Sequence, residues 1–264
     1  MKIALLFGGK SAEYEVSLMS AKSIYENIDK ELHEVYLIGI DNQGEFHYFD
    51  GDIKSVADGS WVYNVSDAEV VFCSSQKKPG IYSDEINIVF DIVFPVLHGP
   101  FGEDGKLQGL LEISNLAYVG CPVLASAVAM DKDIAKKLFS FEGINQVPHI
   151  TICSWDDMKQ SMIDIEGKLG YPCFVKPANM GSSVGISKVK NRDGLKKALE
   201  NAFLYDHKIV VEKGINAREI EVSILGNCDD IKVSCTGEII PSDEFYDYDA
   251  KYKSNASKLI IPSD

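Results

Sequence analysis

An apolar run at residues 2–7, Lys2-Ile3-Ala4-Leu5-Leu6-Phe7, stops at Gly8-Gly9 and gives way to helical spacing. A short apolar run closed by glycines reads as a buried strand and a tight turn. The helix that follows is expected from about Glu13 to Ile28, with Leu18, Ala21, Tyr25 and Ile28 on its apolar face. Val35–Ile40 is a second strand, ended by Asp41-Asn42-Gln43-Gly44, and Ile88–Leu97 a third, leading into His98-Gly99-Pro100. A helix at 105–114 and a short strand at 117–119 complete the pattern. Strands alternating with helices call for a parallel α/β sheet over the first 120 residues or so. Residues 50–87 are harder to read and are expected to hold an edge hairpin.

A helix is expected over Ser126–Phe141, with Met130, Ile134, Leu138 and Phe141 on one face. Then come a strand at 147–153, a helix at 156–169, strands at 171–177 and 185–190 around a glycine loop, and a helix at 192–204. Residues 208–241 turn strand-like, with His207–Val211, Arg218–Leu225 and Ile231–Ile240 as candidates. A polar, Tyr-rich stretch at 242–258 reads as a long loop before a last strand at Ser257–Pro262. The pattern changes near residues 120 and 210, which places the domain borders there.

The chain of 264 residues carries 40 acidic and 26 basic side chains, a formal charge of −14. A nucleic-acid partner is not expected, because phosphate-backbone binding needs a basic face. An anionic small molecule stays open if a few lysines converge, helped by a divalent metal. The six cysteines, at 73, 121, 153, 173, 228 and 235, form no C-x-x-C pair, which fits reduced thiols of a cytoplasmic protein. No membrane span is expected: the longest apolar stretch, 86–97, is broken by Asn87, Asp91 and Pro95.

Phe174-Val175-Lys176-Pro177-Ala178-Asn179-Met180-Gly181-Ser182-Ser183-Val184-Gly185 places a lysine inside an apolar strand, just before a loop of small residues. A charge there is expensive without a partner, and such a loop offers amides and hydroxyls to phosphates. Its order is not that of a P-loop. An ordinary turn with Lys176 reaching solvent is the plainer reading. Glu15 falls in the first turn of the first helix, where it can complement the helix dipole or meet a substrate ammonium. His98-Gly99-Pro100-Phe101-Gly102-Glu103-Asp104-Gly105 follows a strand, at the edge where open α/β sheets hold ligands; a plain glycine-rich turn with Asp104 as helix cap is equally compatible. Met130-Asp131-Lys132, Glu212-Lys213 and Glu219 are weak signals singly. Tyr246, Tyr248, Lys251 and Tyr252 lie in the Tyr-rich loop, which suits either a lid or a surface loop.

Together, in this order, these motifs carry a resemblance to the D-alanine–D-alanine ligase family of ATP-grasp enzymes. It extends to Phe7-Gly8-Gly9, Glu15-Val16-Ser17-Leu18, Leu107-Gln108-Gly109, Arg218-Glu219-Ile220-Glu221, Phe245-Tyr246-Asp247-Tyr248 and Ala250-Lys251-Tyr252. The resemblance implies an α/β chain, α+β in its ATP-binding part. A Rossmann-like parallel-sheet substrate domain at 1–120 would precede an ATP-grasp fold, with a central, lid-bearing domain at 121–210 and the start of a C-terminal domain at 211–264. It implies ATP and Mg²⁺ (or Mn²⁺), D-alanine as substrate, dipeptide synthesis for peptidoglycan through an acyl phosphate, a cytoplasmic location and a homodimer. By resemblance, Glu15 binds the first ammonium, His98 lies beside that substrate, and Ser182 and Tyr252 complete the catalytic set with Glu15. Lys132, Lys176, Gly181, Ser182, Ser183, Glu212, Lys213, Ile215, Glu219 and Lys251 hold ATP.

Tyr14 stands where many members have His or Arg, which keeps a D-alanine–D-serine ligase in view, while Tyr252 favours an amine as second substrate. Another carboxylate–amine ligase of the superfamily and a non-catalytic nucleotide-binding remnant are the further alternatives. The family's metal-binding carboxylates and oxyanion Arg match no segment before residue 264. The polypeptide is therefore expected to be a fragment, with little or no activity and no metal ligands of its own.

Overall fold

The structure is a computed structural model and describes residues 1–65, 70–73, 80–83, 87–227, 229–240 and 258–263. Two compact units result: Met1–Ile144 with Asn179–Gly181, and Asn145–Ala178 with Ser182–Asp264.

The first unit begins β1 (Lys2–Gly8), α1 (Tyr14–Asn27), β2 (Glu34–Ile40), β3 (Phe46–Phe49), α2 (Ile53–Ala57) and a 3-10 turn at Ser60–Tyr63. It continues β4 (Val71–Cys73), β5 (Gly80–Tyr82), β6 (Asn87–Ile88), β7 (Ile92–Val96), α3 (Lys106–Ile113), α4 (Val123–Met130) and α5 (Lys132–Phe141). The main sheet has the order β3-β2-β1-β7. β1 runs parallel to both β2 and β7, and β3 closes one edge antiparallel.

Alternate residues of β1 feed two cores, as the two-residue period of a strand requires. Leu5 and Phe7 pack with Leu18 and Ala21 of α1 and with Trp61. Ala4 and Leu6 pack on the other side with Leu107 and Leu111 of α3. Gly39 of β2 is required by this packing: a Cβ there would fall 2.2 Å from the Trp61 ring.

Four expectations are corrected in this unit. The run 88–97 is two strands in two sheets, β6 pairing with β5 and β7 with β1. Asp91 breaks it, and its carboxylate accepts the Lys2 amide at 2.6 Å. Residues 117–119 make a single bridge, Val93 to Tyr118. The helix expected over 126–141 is two helices, because Asp131 leaves helical geometry and its carboxylate caps α5 through the amides of Asp133 and Ile134. Residues 50–87 hold more than a hairpin: β4, β5 and β6 form a three-stranded antiparallel sheet.

The second unit contains β8 (His149–Cys153), α6 (Met158–Lys168), β9 (Cys173–Pro177), β10 (Ser187–Val189), α7 (Arg192–Ala202) and β11 (Lys208–Lys213). These strands form an antiparallel sheet in the order β10-β9-β11-β8. Side chains Met162 and Ile165 of α6 and Leu195 and Leu199 of α7 pack on Cys173, Val175, Ile209 and Val211. Burial of each such leucine or isoleucine contributes roughly 1.5–3 kcal/mol. Asp157 and Asn191 start the two helices by accepting the amides of Gln160 and Gly194.

β12 (Glu219–Glu221), β13 (Ile224–Leu225), β14 (Lys232–Val233), β15 (Gly237–Ile240) and β16 (Lys258–Ile260) follow. Each of the long strands expected at 218–225 and 231–240 is thus split. β12 and β16 flank β15, while β13 and β14 pair separately around Gly226, whose φ of +127° suits only glycine. No helix among the described residues is long and apolar enough to cross a membrane.

Candidate functional site

The chain leaves β1 through α1 to β2 on one side and later returns to the other side as β7. Such a reversal opens a crevice at the carboxyl ends of the strands. Ser17 of α1 spans it. Its hydroxyl accepts the Gly8 amide at 2.8 Å and donates to the Val96 carbonyl, wholly buried.

The loops beyond β1 and β7 carry the candidate groups. Glu13, 3% exposed, sits at the N-cap position of α1. A Cβ on Gly99 would fall 2.2 Å from its Oε2, and one on Gly181 would fall 3.0 Å from it. Two glycines therefore leave the room that this carboxylate occupies. Glu15 is in the first turn as expected, but its side chain is exposed. The buried carboxylate is Glu13, four residues before Ser17, so helical spacing puts the two on one face. Its burial comes from Gly99 and Gly181, distant in the chain, so no local pattern marks it.

His98 is half-buried, and its Nε2 lies 3.1 Å from Ser20 Oγ on α1. The loop that follows is held from inside. Glu103 accepts the Gly99 amide at 2.7 Å, Asp104 accepts the Phe101 amide at 2.9 Å, and Phe101 takes a φ of 69°. Burial pushes the Asp104 carboxyl up, but the Lys106 ammonium and the amides of Phe101 and Lys106 outweigh it and hold it below the usual range.

Lys132, the first residue of α5, donates from Nζ to the Met180 carbonyl at 2.5 Å. A cavity of about 510 Å³ is lined by Lys132, Met180, Gly181, Glu103 and Gln108, among others. Gln108 donates from Nε2 to the Gly102 carbonyl at 2.8 Å, and its buried Oε1 has no partner among the described residues. Tyr14 faces elsewhere: it packs in the α1 core and accepts the Trp61 indole N–H at 3.0 Å. Burial raises its pKa.

In the second unit, Lys176 of β9 and Glu212 of β11 meet at 2.5 Å. Val210 is opposite Lys176 and Glu212 opposite Phe174, so the pair is a diagonal one. Their strand neighbours Val175 and Val211 pack on the helices, which puts Lys176 and Glu212 on the opposite face. The partner expected for a lysine within an apolar strand is therefore Glu212. Between β9 and β10, Ser182 and Ser183 both have positive φ, 43° and 63°. Non-glycine residues held there cost of order 1–3 kcal/mol each and tend to mark ligand clamps.

Lys213, Ile215 and Glu219 are exposed. No hydrogen bond or ion pair joins Ile215 or Glu219 to Lys176 or Glu212 among the described residues. Arg218, beside Glu219, instead grips Glu238 with two bonds of 2.8 Å. Tyr246, Tyr248, Lys251 and Tyr252 lie outside the described residues.

Comparisons with known proteins show the family. Residues 2–121 match the sequence model of the D-ala D-ala ligase N-terminus, and residues 138–264 that of the D-ala D-ala ligase C-terminus. A D-alanine–D-alanine ligase of Caldicellulosiruptor bescii is 50% identical over 100% of this chain and 73% of its own length. One from Heliobacterium modesticaldum is 48% identical over 99% and 72%. Among solved structures, the VanG D-Ala:D-Ser ligase of Enterococcus faecalis superposes with a TM-score of 0.87 at 39% identity, covering 99% of this chain and 76% of its own. The D-alanine–D-alanine ligase of Coxiella burnetii gives 0.82 at 36% identity, covering 91% and 71%. With both sequence models matched in order and half the residues shared with a relative over the whole of this chain, the chain belongs to the D-alanine–D-alanine ligase family.

Proposed function

We propose that this chain is an ATP-dependent ligase that joins D-alanine to a second D-alanine in the cytoplasm, for peptidoglycan synthesis. The observation that carries the reading is the buried Glu13 carboxylate, seated against Gly99 and Gly181. A carboxylate held there suits the ammonium of a zwitterion, and His98 on the neighbouring loop suits its carboxyl end. Glu13 thus takes the role that the resemblance gave to Glu15.

In the reaction, a carboxylate oxygen of the first D-alanine bonds to the γ-phosphorus as the bond to ADP breaks. The amine of the second then attacks the acyl carbon, loses a proton, and phosphate leaves. Lys132 and Lys176 are assigned to balance the phosphate charge, and charge balance is where phosphoryl transfer gains most from a protein. Gly181, Ser182 and Ser183 are assigned to the phosphate-covering loop. Glu212, Lys213, Ile215 and Glu219 are assigned to adenine and ribose, and Lys251 and Tyr252 to the γ-phosphate and substrate pocket. The partnerless Gln108 Oε1 fits a hydrogen-bond donor in the adjoining cavity.

Mg²⁺ (or Mn²⁺) would neutralise and align the phosphates. Among the described residues, the one cluster of three potential ligands is Asp41, Glu45 and His47, on the β2–β3 turn. Three backbone amides already occupy Asp41 Oδ1, so no step of the reaction is assigned to a metal at that cluster. We assign residues 1–120 to substrate binding, 121–210 to the central, lid-bearing part and 211–264 to the beginning of the C-terminal part, a division supported by the first family model ending at residue 121.

Calorimetry tests the reading directly. Mg·ATP and D-alanine should each bind saturably, L-alanine should not, and Glu13→Gln should weaken D-alanine binding at least about tenfold while sparing ATP. Equal binding of both alanine enantiomers overturns it. D-serine as second substrate is the alternative, favoured by the likeness to the VanG structure. The mass of the dipeptide formed from mixed D-alanine and D-serine separates the two.

A further inference from the structure

The loop between β9 and β10 is held at its base by the corner that joins α7 to β11. That corner is folded back on the end of α7. The Leu204 amide donates to the Asn201 carbonyl at 3.1 Å, and the amides of Tyr205 and Asp206 donate to the Ala202 carbonyl at 3.1 and 3.2 Å. Asp206 Oδ1 accepts the Lys208 amide at 3.1 Å. From this mount the corner reaches both ends of the loop. The Lys208 carbonyl accepts the Ala178 amide at 2.9 Å, where the loop begins. The Tyr205 ring lies against Gly185, where it ends: a Cβ on Gly185 would fall 2.8 Å from Tyr205 Cδ2 and 2.8 Å from Pro177 Cγ. Pro177, the last residue of β9, Gly185 and the ring thus meet at one point.

The ring has little other employment. Phe203, two residues earlier, packs on the core beneath α6 and α7, whereas Tyr205 is 48% exposed and stands outside that core. The loop, by contrast, needs outside support. Ser182 and Ser183 keep positive φ, and the Ile186 amide closes a turn on the Ser183 carbonyl at 3.2 Å. Backbone in such conformations persists only where its surroundings over-determine it. Gly181-Ser182-Ser183 has little side-chain bulk with which to pack itself, so the constraint has to come from the base.

We propose that Tyr205 is a positioning residue for this loop. Its ring closes the base against Gly185 and Pro177, and so keeps Ser182 and Ser183 in the conformation that presents their amides and hydroxyls to phosphate. The link to phosphate rests on the assignment of the loop to ATP made above; the bracing of the loop by the ring does not. The ring face and not the phenol oxygen does the bracing, so phenylalanine should serve at position 205 and alanine should not.

Hydrogen exchange and calorimetry on the full chain test this. Without ligand, Tyr205→Ala should speed exchange of the amides of residues 182–186 about threefold or more and leave those of Val175 and Val211 unchanged. Tyr205→Phe should match the native chain. With ligand, Tyr205→Ala should weaken Mg·ATP about fivefold or more, the effect of losing a hydrogen bond or two from the loop. Adenosine, which has no phosphate to cover, should bind as before. Gly185→Ala, which crowds the same point, should loosen the same amides, and the two substitutions together should cost less than their sum, because alanine at 205 makes room. If Tyr205→Ala melts early, Tyr205→Leu replaces it, with a smaller effect in the same direction. The proposal is overturned by native exchange at 182–186 in the Tyr205→Ala chain, by equal losses of ATP and adenosine, or by a Tyr205→Phe chain that behaves like Tyr205→Ala. A native chain that binds no Mg·ATP counts against the ligase reading, and the exchange comparison then decides the role of Tyr205 by itself.

Discussion

The Glu13 carboxylate occupies the place where any residue but glycine at position 99 would put its side chain. Gly99 has a φ of 72°, and a Cβ on it would come within 2.2 Å of Glu13 Oε2 and 2.9 Å of Ser11 Oγ. The glycine is needed twice, for its backbone angle and for the room it leaves.

Glu13→Gln is predicted to raise the dissociation constant for D-alanine about tenfold to a hundredfold, as expected when a charged hydrogen bond of roughly 1.5–3 kcal/mol is weakened. Glu15→Gln, at an exposed position, should change it less than about twofold. Calorimetric titration of both variants checks this; the reverse ranking would restore Glu15 to the site.

Lys176→Ala is predicted to weaken Mg·ATP binding at least about tenfold, since it removes a cation assigned to the phosphates and breaks the ion pair with Glu212. Glu212 is 12% exposed in its side chain, so the variant should also lose thermal stability. Unchanged ATP affinity in a folded Lys176→Ala protein would contradict the assignment.

Asp41 should make the first unit sensitive to acid. Burial raises its carboxyl pKa, but the amides of Glu45, Gln43 and Gly44 and the His47 ring outweigh this and hold it below 3.8. A carboxyl depressed by folding stabilises the native state above its unfolded pKa and loses that contribution as pH falls through the folded value. Urea unfolding should therefore show a larger drop in stability between pH 5 and about pH 3 for the native chain than for Asp41→Asn. Parallel curves for the two proteins would remove Asp41 from the account.

Thiol reactivity should follow burial. Cys173 is fully buried in the α6–α7 core, and burial pushes its pKa up to about 11. Cys121 is exposed. At pH 8 a disulfide reagent is predicted to modify Cys121 quickly and Cys173 only on unfolding. Mass mapping of the labelled peptides reads this out, and early label on Cys173 would mean that the second unit opens in its native state.

The parallel sheet and the lysine of β9 were legible because both rest on local pattern: apolar runs, glycine stops and a charge out of place. The split at Asp131 was legible in principle, since Asp-Lys-Asp begins a helix well, but the periodic residues Met130, Ile134, Leu138 and Phe141 read through it. The break at Asp91 depended on a tertiary partner, the Lys2 amide, which no local window contains. Glu13 escaped for a similar reason. Its burial is created by Gly99 and Gly181, residues far away in the chain.

Ser17 has a bearing on how such a chain can diversify. One hydroxyl serves the last amide of β1 and the last carbonyl of β7, so the seam stays shut without help from either loop above it. Insertions and substitutions in those loops can accumulate without unzipping the strands beneath. Changes of substrate preference can then arise in the loops while the framework is inherited intact.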